Sequence, residues 1–198
     1  MNVRLALLAL WVAATGCGGP PEQPWTPAAD ATVSPRWPTT LSAWTRHGEA
    51  YEAFEGRLFV TATCLSPTLT TGWLRERASR EAWSGTRLEN ALLADGERQR
   101  STLSVLLGLT TQEARWNDTG PAGTFEMILT ADGVEFPSST VRKLSADEIG
   151  DLVPYFTWLT PLHSAYMLEF PAPGAPSRLA LRVAGPPARV VLHWGVPR

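Results

Sequence analysis

The sequence predicts a mainly β domain: an antiparallel, immunoglobulin-like β-sandwich with a helical insertion at about residues 67–95 and a short helix near residues 145–152. Three observations support this fold class. Six or seven segments alternate apolar and polar residues with the period of a strand. Proline- and glycine-rich turns separate these segments, as is typical of antiparallel sandwiches. Helix-start signals occur at two places between the strands.

The first part of the domain contains one clear strand. Residues 41–55 fit either a short helix or the approach to a strand. The β-branched and aromatic residues of segment 57–65 predict a strand. Ser66 is then a suitable helix N-cap, and Pro67 is a suitable first helical residue because it lacks the N–H that would be unpaired there.

The helical insertion is expected to consist of two pieces. Apolar residues recur at helical spacing from residue 73 to residue 82, Gly85 interrupts the pattern, and a second piece covers residues 88–95 and ends at Gly96. Arginines in this insertion are interspersed with glutamates. Such a mixture predicts a solvated amphipathic face, and it argues against a nucleic-acid surface.

The sequence returns to a β pattern after the insertion. In residues 101–110 apolar side chains at odd positions alternate with Thr102, Ser104, Leu106 and Gly108. This alternation predicts a half-buried strand with one apolar face. Residues 124–130 alternate again, and Asp132-Gly133 predicts a tight hairpin turn that returns through residues 134–136.

The last third of the chain begins with a helix-start signature. Ser145 and Glu148 form a predicted capping box, and Leu144 and Ile149 form a predicted hydrophobic staple around it. A short surface helix is therefore expected near residues 145–152. Three further strands are predicted from alternating apolar residues at 166–170, 179–183 and 190–194.

The N-terminus carries the pattern of an export signal, with Arg4 followed by the apolar run of residues 5–14. The segment Ala14-Thr15-Gly16-Cys17 then resembles the lipobox of bacterial lipoproteins, Leu-Ala/Ser-Gly/Ala-Cys. In that family the chain is cut before the cysteine, which is then acylated. Gly16 and Cys17 match this pattern, whereas Ala14 stands where leucine is usual. Ordinary secretion, with Cys17 left as a plain thiol, is the alternative.

The lipoprotein resemblance implies a chain in three parts. A signal peptide of residues 1–16 is followed by a lipidated Cys17 on a proline-rich tether of residues 17–40, and residues 41–198 form a single domain. The lipid would attach the protein to a membrane, because acyl chains contribute about 0.8 kcal/mol per buried CH2. Gly18 replaces the aspartate that resembles an inner-membrane retention signal. The resemblance therefore implies the outer membrane, facing the periplasm or the surface.

Composition sets further limits. The formal net charge of −2 over 198 residues gives no reason to expect nucleic acid as a partner, and 44% hydrophobic residues suffice for a core. The second cysteine, Cys64, lies in an apolar run. We expect it to be a buried, unreactive thiol, with a reactive or intermolecular thiol as the alternative.

The sequence contains no local motif for catalysis, cofactor binding or metal binding. Gly-x-Ser-x-Gly, His-Glu-x-x-His, paired Cys-x-x-Cys, phosphate-binding and EF-hand patterns are all absent. No catalytic residue, cofactor or metal ligand is therefore assigned. Three histidines remain, namely His47, His163 and His193. His193 is expected on the solvent face of the last strand, and a cluster of all three is not expected.

Tryptophans provide the only candidate ligand contact. Trp116 lies in the polar loop of residues 111–123, where an exposed aromatic side chain indicates binding. Other tryptophans fit either a sugar-binding platform or the core: Trp44, Trp73, Trp83 and Trp158.

Three functions follow in order of preference. The first is a non-enzymatic cell-envelope lipoprotein that acts as an adaptor or assembly module for an envelope protein. The second is a carbohydrate- or peptidoglycan-binding module. The third is a hydrolase whose catalytic residues are dispersed in the sequence; a pocket that gathers two histidines, or a histidine and a carboxylate, would favour it.

Overall fold

A computed structural model describes residues 37–117, 119, 123–160 and 163–195. The predicted signal peptide, Cys17 and tether residues 17–36 lie outside the described residues. Four helices occur within the described ranges: α1 (Trp37–Trp44), α2 (Pro67–Arg80), α3 (Gly85–Ser101) and α4 (Ala146–Leu152). The same ranges contain nine strands: β1 (Thr45–Glu52), β2 (Glu55–Leu65), β3 (Thr102–Thr111), β4 (Glu126–Ala131), β5 (Val134–Pro137), β6 (Thr140–Lys143), β7 (Ser164–Pro171), β8 (Leu179–Gly185) and β9 (Ala188–Trp194).

The strands form two antiparallel sheets, which confirms the prediction of a mainly β, sandwich-like domain. Sheet A has the strand order β1-β2-β3-β7-β6, and sheet B has the order β5-β4-β8-β9. Alternate residues of the strands fill the space between the sheets. Leu107 and Tyr166 of sheet A and Leu181 and Leu192 of sheet B are among these buried side chains. Their burial is the main stabilising contribution between the two layers.

The two sheets meet along one edge, where β1 of sheet A packs against β9 of sheet B. A Cβ atom added to Gly48 would lie 2.4 Å from Cγ1 of Val190 and 2.7 Å from Cδ2 of Leu192. Arg46 also donates from Nε to the carbonyl oxygen of His193 at 2.9 Å. Position 48 therefore needs glycine, because the Val190 and Leu192 side chains of β9 fill the space that a side chain would take.

The second face of sheet A is also buried, so the prediction of a half-buried strand at residues 101–110 is wrong. Leu106 is fully buried on this face, and Ser104 beside it in β3 is 2% exposed. The helices and the segment before β7 cover the face: Arg98 of α3 donates to the Ser104 hydroxyl at 2.7 Å, and Trp158 donates to the Thr63 hydroxyl at 2.9 Å. Sheet A is consequently the middle layer of the domain.

The helical insertion starts where the sequence predicts and ends later. The Ser66 hydroxyl caps α2 by accepting a hydrogen bond from the N–H of Leu69 at 3.2 Å, and Pro67 is the first helical residue. The prediction that the second piece ends at Gly96 is wrong, because α3 continues to Ser101. Gly96 faces open space, so the glycine costs helix propensity without forcing a break.

The described chain becomes helical before the predicted end of the tether at residue 40. Helix α1 begins at Trp37, and Pro38 lies in its first turn, where the missing N–H removes no intrahelical bond. Trp37 is buried and donates from Nε1 to the carbonyl oxygen of Tyr155 at 2.7 Å. Residues 37–40 therefore pack against the domain, because the Trp37 side chain is buried in it.

Two turn signals are confirmed by the backbone. Ser145 and Glu148 form the capping box of α4, with the Ser145 N–H donating to the Glu148 carboxylate at 2.9 Å. Asp132 and Gly133 join β4 to β5 with φ angles of 47° and 93°. Both φ values are positive, as the predicted hairpin turn requires.

Candidate functional site

The hairpin between β1 and β2 ends in a fully exposed aromatic side chain. The ladder pairs Glu52 with Glu55, so Ala53 and Phe54 form a two-residue turn between them. Ala53 has a φ of 53°, in the left-handed region, and Phe54 points entirely into solvent. Residues 49–57 are called the hairpin tip below. An exposed phenylalanine at such a position lacks any packing role in the domain.

The base of the hairpin tip is held by short-range contacts. Tyr51, which is 59% exposed, packs edge-on against Phe59 with ring centroids 5.9 Å apart. Its hydroxyl donates to the Glu49 carboxylate at 2.6 Å. Arg57 forms ion pairs with Glu52 at 2.9 Å and with Glu55 at 3.2 Å. These contacts link the two strands below the turn, and Phe54 projects beyond them.

The electrostatics of the hairpin tip are acidic. Three carboxylates, those of Glu49, Glu52 and Glu55, are present against the single guanidinium of Arg57, which leaves a formal charge of −2. The hydrogen bond to Glu49 raises the pKa of the Tyr51 hydroxyl, which therefore stays protonated as a donor. An exposed apolar side chain surrounded by negative charge complements a partner surface that has an apolar pocket with basic residues around it.

A second surface feature is a concavity of about 590 Å³ at one end of sheet B, lined by Asp132, Arg178, His193 and Trp194 among others. Asp132 is the only carboxylate among its described lining residues. It accepts hydrogen bonds from the Ser177 N–H at 3.0 Å, the Ser177 hydroxyl at 2.8 Å and the Arg178 N–H at 3.0 Å. Asp132 thus holds the loop before β8. The concavity also gathers a carboxylate and a histidine, Asp132 and His193, which is the arrangement that would favour a hydrolase with dispersed catalytic residues.

These hydrogen bonds lower the pKa of Asp132, first through Ser177 and then through Arg178. A carboxylate with a lowered pKa in the folded state stabilises the fold above its ordinary pKa. That contribution is lost as the pH falls through the folded value. The hydrogen bonds to Ser177 and Arg178 therefore give Asp132 a structural role.

The candidate Trp116 lies in the short 3-10 turn Ala114–Trp116 and is half-buried against the core. The guanidinium of Arg115 lies 4.9 Å from the centre of its ring. Part of the ring face is thus occupied by a cation.

The remaining candidate tryptophans do not share one exposed face. Trp44 is buried in α1 and its carbonyl oxygen accepts from Nε1 of Trp194 at 2.8 Å. Trp73 and Trp83 lie near each other, but the Arg77 guanidinium lies over both rings, 6.0 Å and 5.5 Å from their centres. These contacts stabilise the α2–α3 corner.

The histidines and the buried cysteine occupy three different environments. His193 is exposed on the outer face of β9, as predicted. His47 lies in β1, and His163 directly precedes β7; both are on the helix-facing side of sheet A. Cys64 is fully buried in β2, and burial raises the pKa of its thiol. The expectation of a buried thiol is therefore confirmed, and burial disfavours the reactive thiolate.

Sequence reasoning missed the hairpin tip. Residues 41–55 appeared ambiguous because β1 lacks an alternating apolar pattern, although Tyr51 and Phe54 between glutamates are an available signal of an exposed aromatic turn. No helix among the described residues is long and apolar enough to cross a membrane. No protein-family model matches the chain, and no curated protein or solved structure is significantly similar to it.

Proposed function

We propose that this chain is a non-enzymatic lipoprotein of the cell envelope that binds another envelope protein through its hairpin tip. The observation that carries the proposal is the fully exposed Phe54 on an acidic turn whose strands are joined by ion pairs. The lipid on Cys17 would confine the domain to a membrane surface, and the tether would give it reach. The immunoglobulin-like arrangement belongs to the same proposal and is supported by the two facing antiparallel sheets.

The charge of the hairpin tip favours a protein over a lipid surface as the occupant. Anionic lipids attract clusters of lysine and arginine, whereas this tip carries three glutamates and one arginine. A partner with an apolar pocket and basic residues around it would bury Phe54 and complement Glu49, Glu52 and Glu55. We therefore commit to a protein partner of this chemistry.

The variant Phe54→Ser is expected to lose most of the affinity for this partner. Burial of a phenylalanine side chain contributes about 2 kcal/mol, which corresponds to about 30-fold in Kd. The measurement is co-purification of the partner with the full-length chain after crosslinking in intact cells. Because Phe54 is fully exposed, the variant should leave the unfolding temperature unchanged.

Val134→Ser is the matched control. Val134 is an exposed apolar residue at another hairpin, with 59% of its surface accessible, and it follows the Asp132-Gly133 turn. This variant should retain the partner. Equal recovery of the partner with Phe54→Ser and wild type would contradict docking by the hairpin tip. Retention of glycan fragments with no protein partner would favour the carbohydrate-binding function instead.

The variant Cys17→Ser tests the anchor separately. The change removes the sulfur atom that would be acylated, so we expect the protein to move from the membrane fraction to the soluble fraction. The measurement is fractionation of cells followed by detection of the chain. Unchanged membrane association would eliminate lipidation at Cys17 as the cause of attachment, without bearing on Phe54.

A further inference from the structure

The concavity at the end of sheet B is built from residues that point away from the core. The ladder pairs Thr130 of β4 with Ala180 of β8, and Ala180 with His193 of β9, so these residues form one row across the sheet. The residues directly before and after each of them are buried. Because successive side chains of a strand point to opposite faces, the row lies on the outer face of sheet B.

A second row continues this face to the end of the sheet. The Asp132 N–H donates to the carbonyl oxygen of Arg178 at 3.1 Å, and a Cβ atom on Gly195 would lie 2.8 Å from Cα of Arg178. Each of these three residues is two positions along the chain from a member of the first row. Arg178 and His193 are therefore diagonal neighbours on adjacent strands, a relation that places Cα atoms about 7–8 Å apart.

Small residues leave the space between these side chains open. Ala180 has only a methyl group, and Gly133 and Gly195 have no side chain, so the two rows enclose a concavity of about 590 Å³. Leu179 and Trp194 contribute apolar surface to the same lining. This volume is within the range of small-molecule sites, about 300–1,000 Å³.

The polar side chains of the concavity differ in whether they already have partners. Asp132 accepts three hydrogen bonds from Ser177 and Arg178, and these donors offset part of its negative charge. The Arg178 guanidinium, the His193 ring and the Thr130 hydroxyl form no hydrogen bond or ion pair with another described residue. The guanidinium is thus the main charged group left to bind a ligand, and its N–H donors match a carboxylate or a phosphate group.

We propose that this concavity binds a small organic anion, a molecule with a carboxylate or phosphate group on an apolar body. The anionic group binds the Arg178 guanidinium, and the apolar body lies over Ala180, with His193 and Thr130 at its sides as hydrogen-bonding groups. Apolar surface with a few polar side chains is typical of small-molecule sites. The hydrogen bonds of Asp132 join the β4–β5 turn to the segment before β8, which are two sides of the concavity. No residue of the hairpin tip is among the described lining residues, so this site is separate from the proposed docking site.

The test is nuclear magnetic resonance of the full-length chain in detergent, with labelled alanine and threonine methyl groups, during titration with benzoate and separately with phenyl phosphate. Both anions should shift the methyl signals of Ala180 and Thr130 until the shifts saturate. Benzyl alcohol has the same ring without the charge. It should bind at least tenfold more weakly, because hydrogen bonds between charged groups are the strong ones. Tighter binding of one of the two anions would identify the preferred group.

Two variants test the residues of the site. Arg178→Gln should weaken binding of both anions at least tenfold and leave the unfolding temperature unchanged, because Arg178 is exposed. Ala180→Leu keeps the guanidinium but fills the space above the sheet, so it should abolish the shift at Thr130. Arg189→Gln is the matched control, because Arg189 is an exposed arginine on the same face at the other end of β9, and this change should leave the affinity unchanged.

The proposal would be overturned by equal affinity of Arg178→Gln and wild type for the anions, or by unchanged binding in Ala180→Leu. Equal affinity of the wild type for benzyl alcohol and benzoate would also overturn it, as would the absence of any shift at Ala180 and Thr130. The result is independent of docking by the hairpin tip, since neither variant changes a residue of that segment.

Discussion

Leu106→Ala should lower the free energy of unfolding by about 2–5 kcal/mol, the range for a buried leucine that leaves a cavity. Leu106 is fully buried on the helix-facing side of sheet A, where the sequence pattern alone would place a solvent-facing side chain. The destabilisation combines the transfer free energy of the removed atoms with the cost of the cavity that remains. The measurement is denaturant unfolding followed by tryptophan fluorescence.

Leu93→Ala is the matched control for this change. Leu93 lies on α3 and is 64% exposed, so the same truncation should change stability by no more than about 0.5 kcal/mol. Similar small losses for both variants would mean that sheet A has an open second face. That outcome would contradict the three-layer arrangement.

Gly48→Ala should destabilise the domain by about 1–3 kcal/mol. The new Cβ atom would lie 2.4 Å from Cγ1 of Val190, which belongs to a buried, branched side chain with little freedom to move. The strand β1 would have to move away from β9, weakening the junction between the sheets. Thermal unfolding of the variant measures the effect.

Gly96→Ala is expected to have the opposite effect on stability. No atom lies within 4 Å of a Cβ at Gly96, and the residue is in the interior of α3. Alanine should therefore raise stability by up to about 1 kcal/mol through helix propensity. A loss of stability in Gly96→Ala would contradict the continuation of α3 to Ser101. A neutral Gly48→Ala would contradict the close approach of β1 and β9.

The predictions from sequence were correct where all the interacting groups lie within a few residues of one another in the chain. Ser66 and Pro67 set the start of α2, and Ser145 with Glu148 sets the start of α4, because a cap needs only the next turn of backbone. The Asp132-Gly133 pair likewise includes both residues whose positive φ angles define the turn. Such signals need no knowledge of the rest of the fold.

The errors occurred where a distant element decides the residue type. Position 48 of β1 is glycine because β9 leaves no room, so the strand lacks the large alternating residues that would reveal it. In β3, Ser104 is buried because Arg98 binds it, and Gly108 leaves room for the Trp158 ring. In the sequence, a buried strand face made of small and polar residues therefore shows the same alternation as a solvent-exposed face.

The candidate sites were less predictable than the fold for the same reason. The polar loop around Trp116 predicts an exposed ring, but the core covers part of that ring. The exposure of Phe54 follows from the pairing of Glu52 with Glu55 at the end of the ladder, which the sequence leaves open.

The most direct test of the account is photocrosslinking in intact cells from a photoreactive phenylalanine analogue at position 54, compared with one at position 134. The proposal predicts one dominant envelope protein crosslinked from position 54 and not from position 134. Charge reversal by Glu52→Lys should reduce that product, because the partner's rim is expected to be basic. Crosslinks from position 54 to phospholipid, or the same products from both positions, would contradict binding of a protein partner by the hairpin tip.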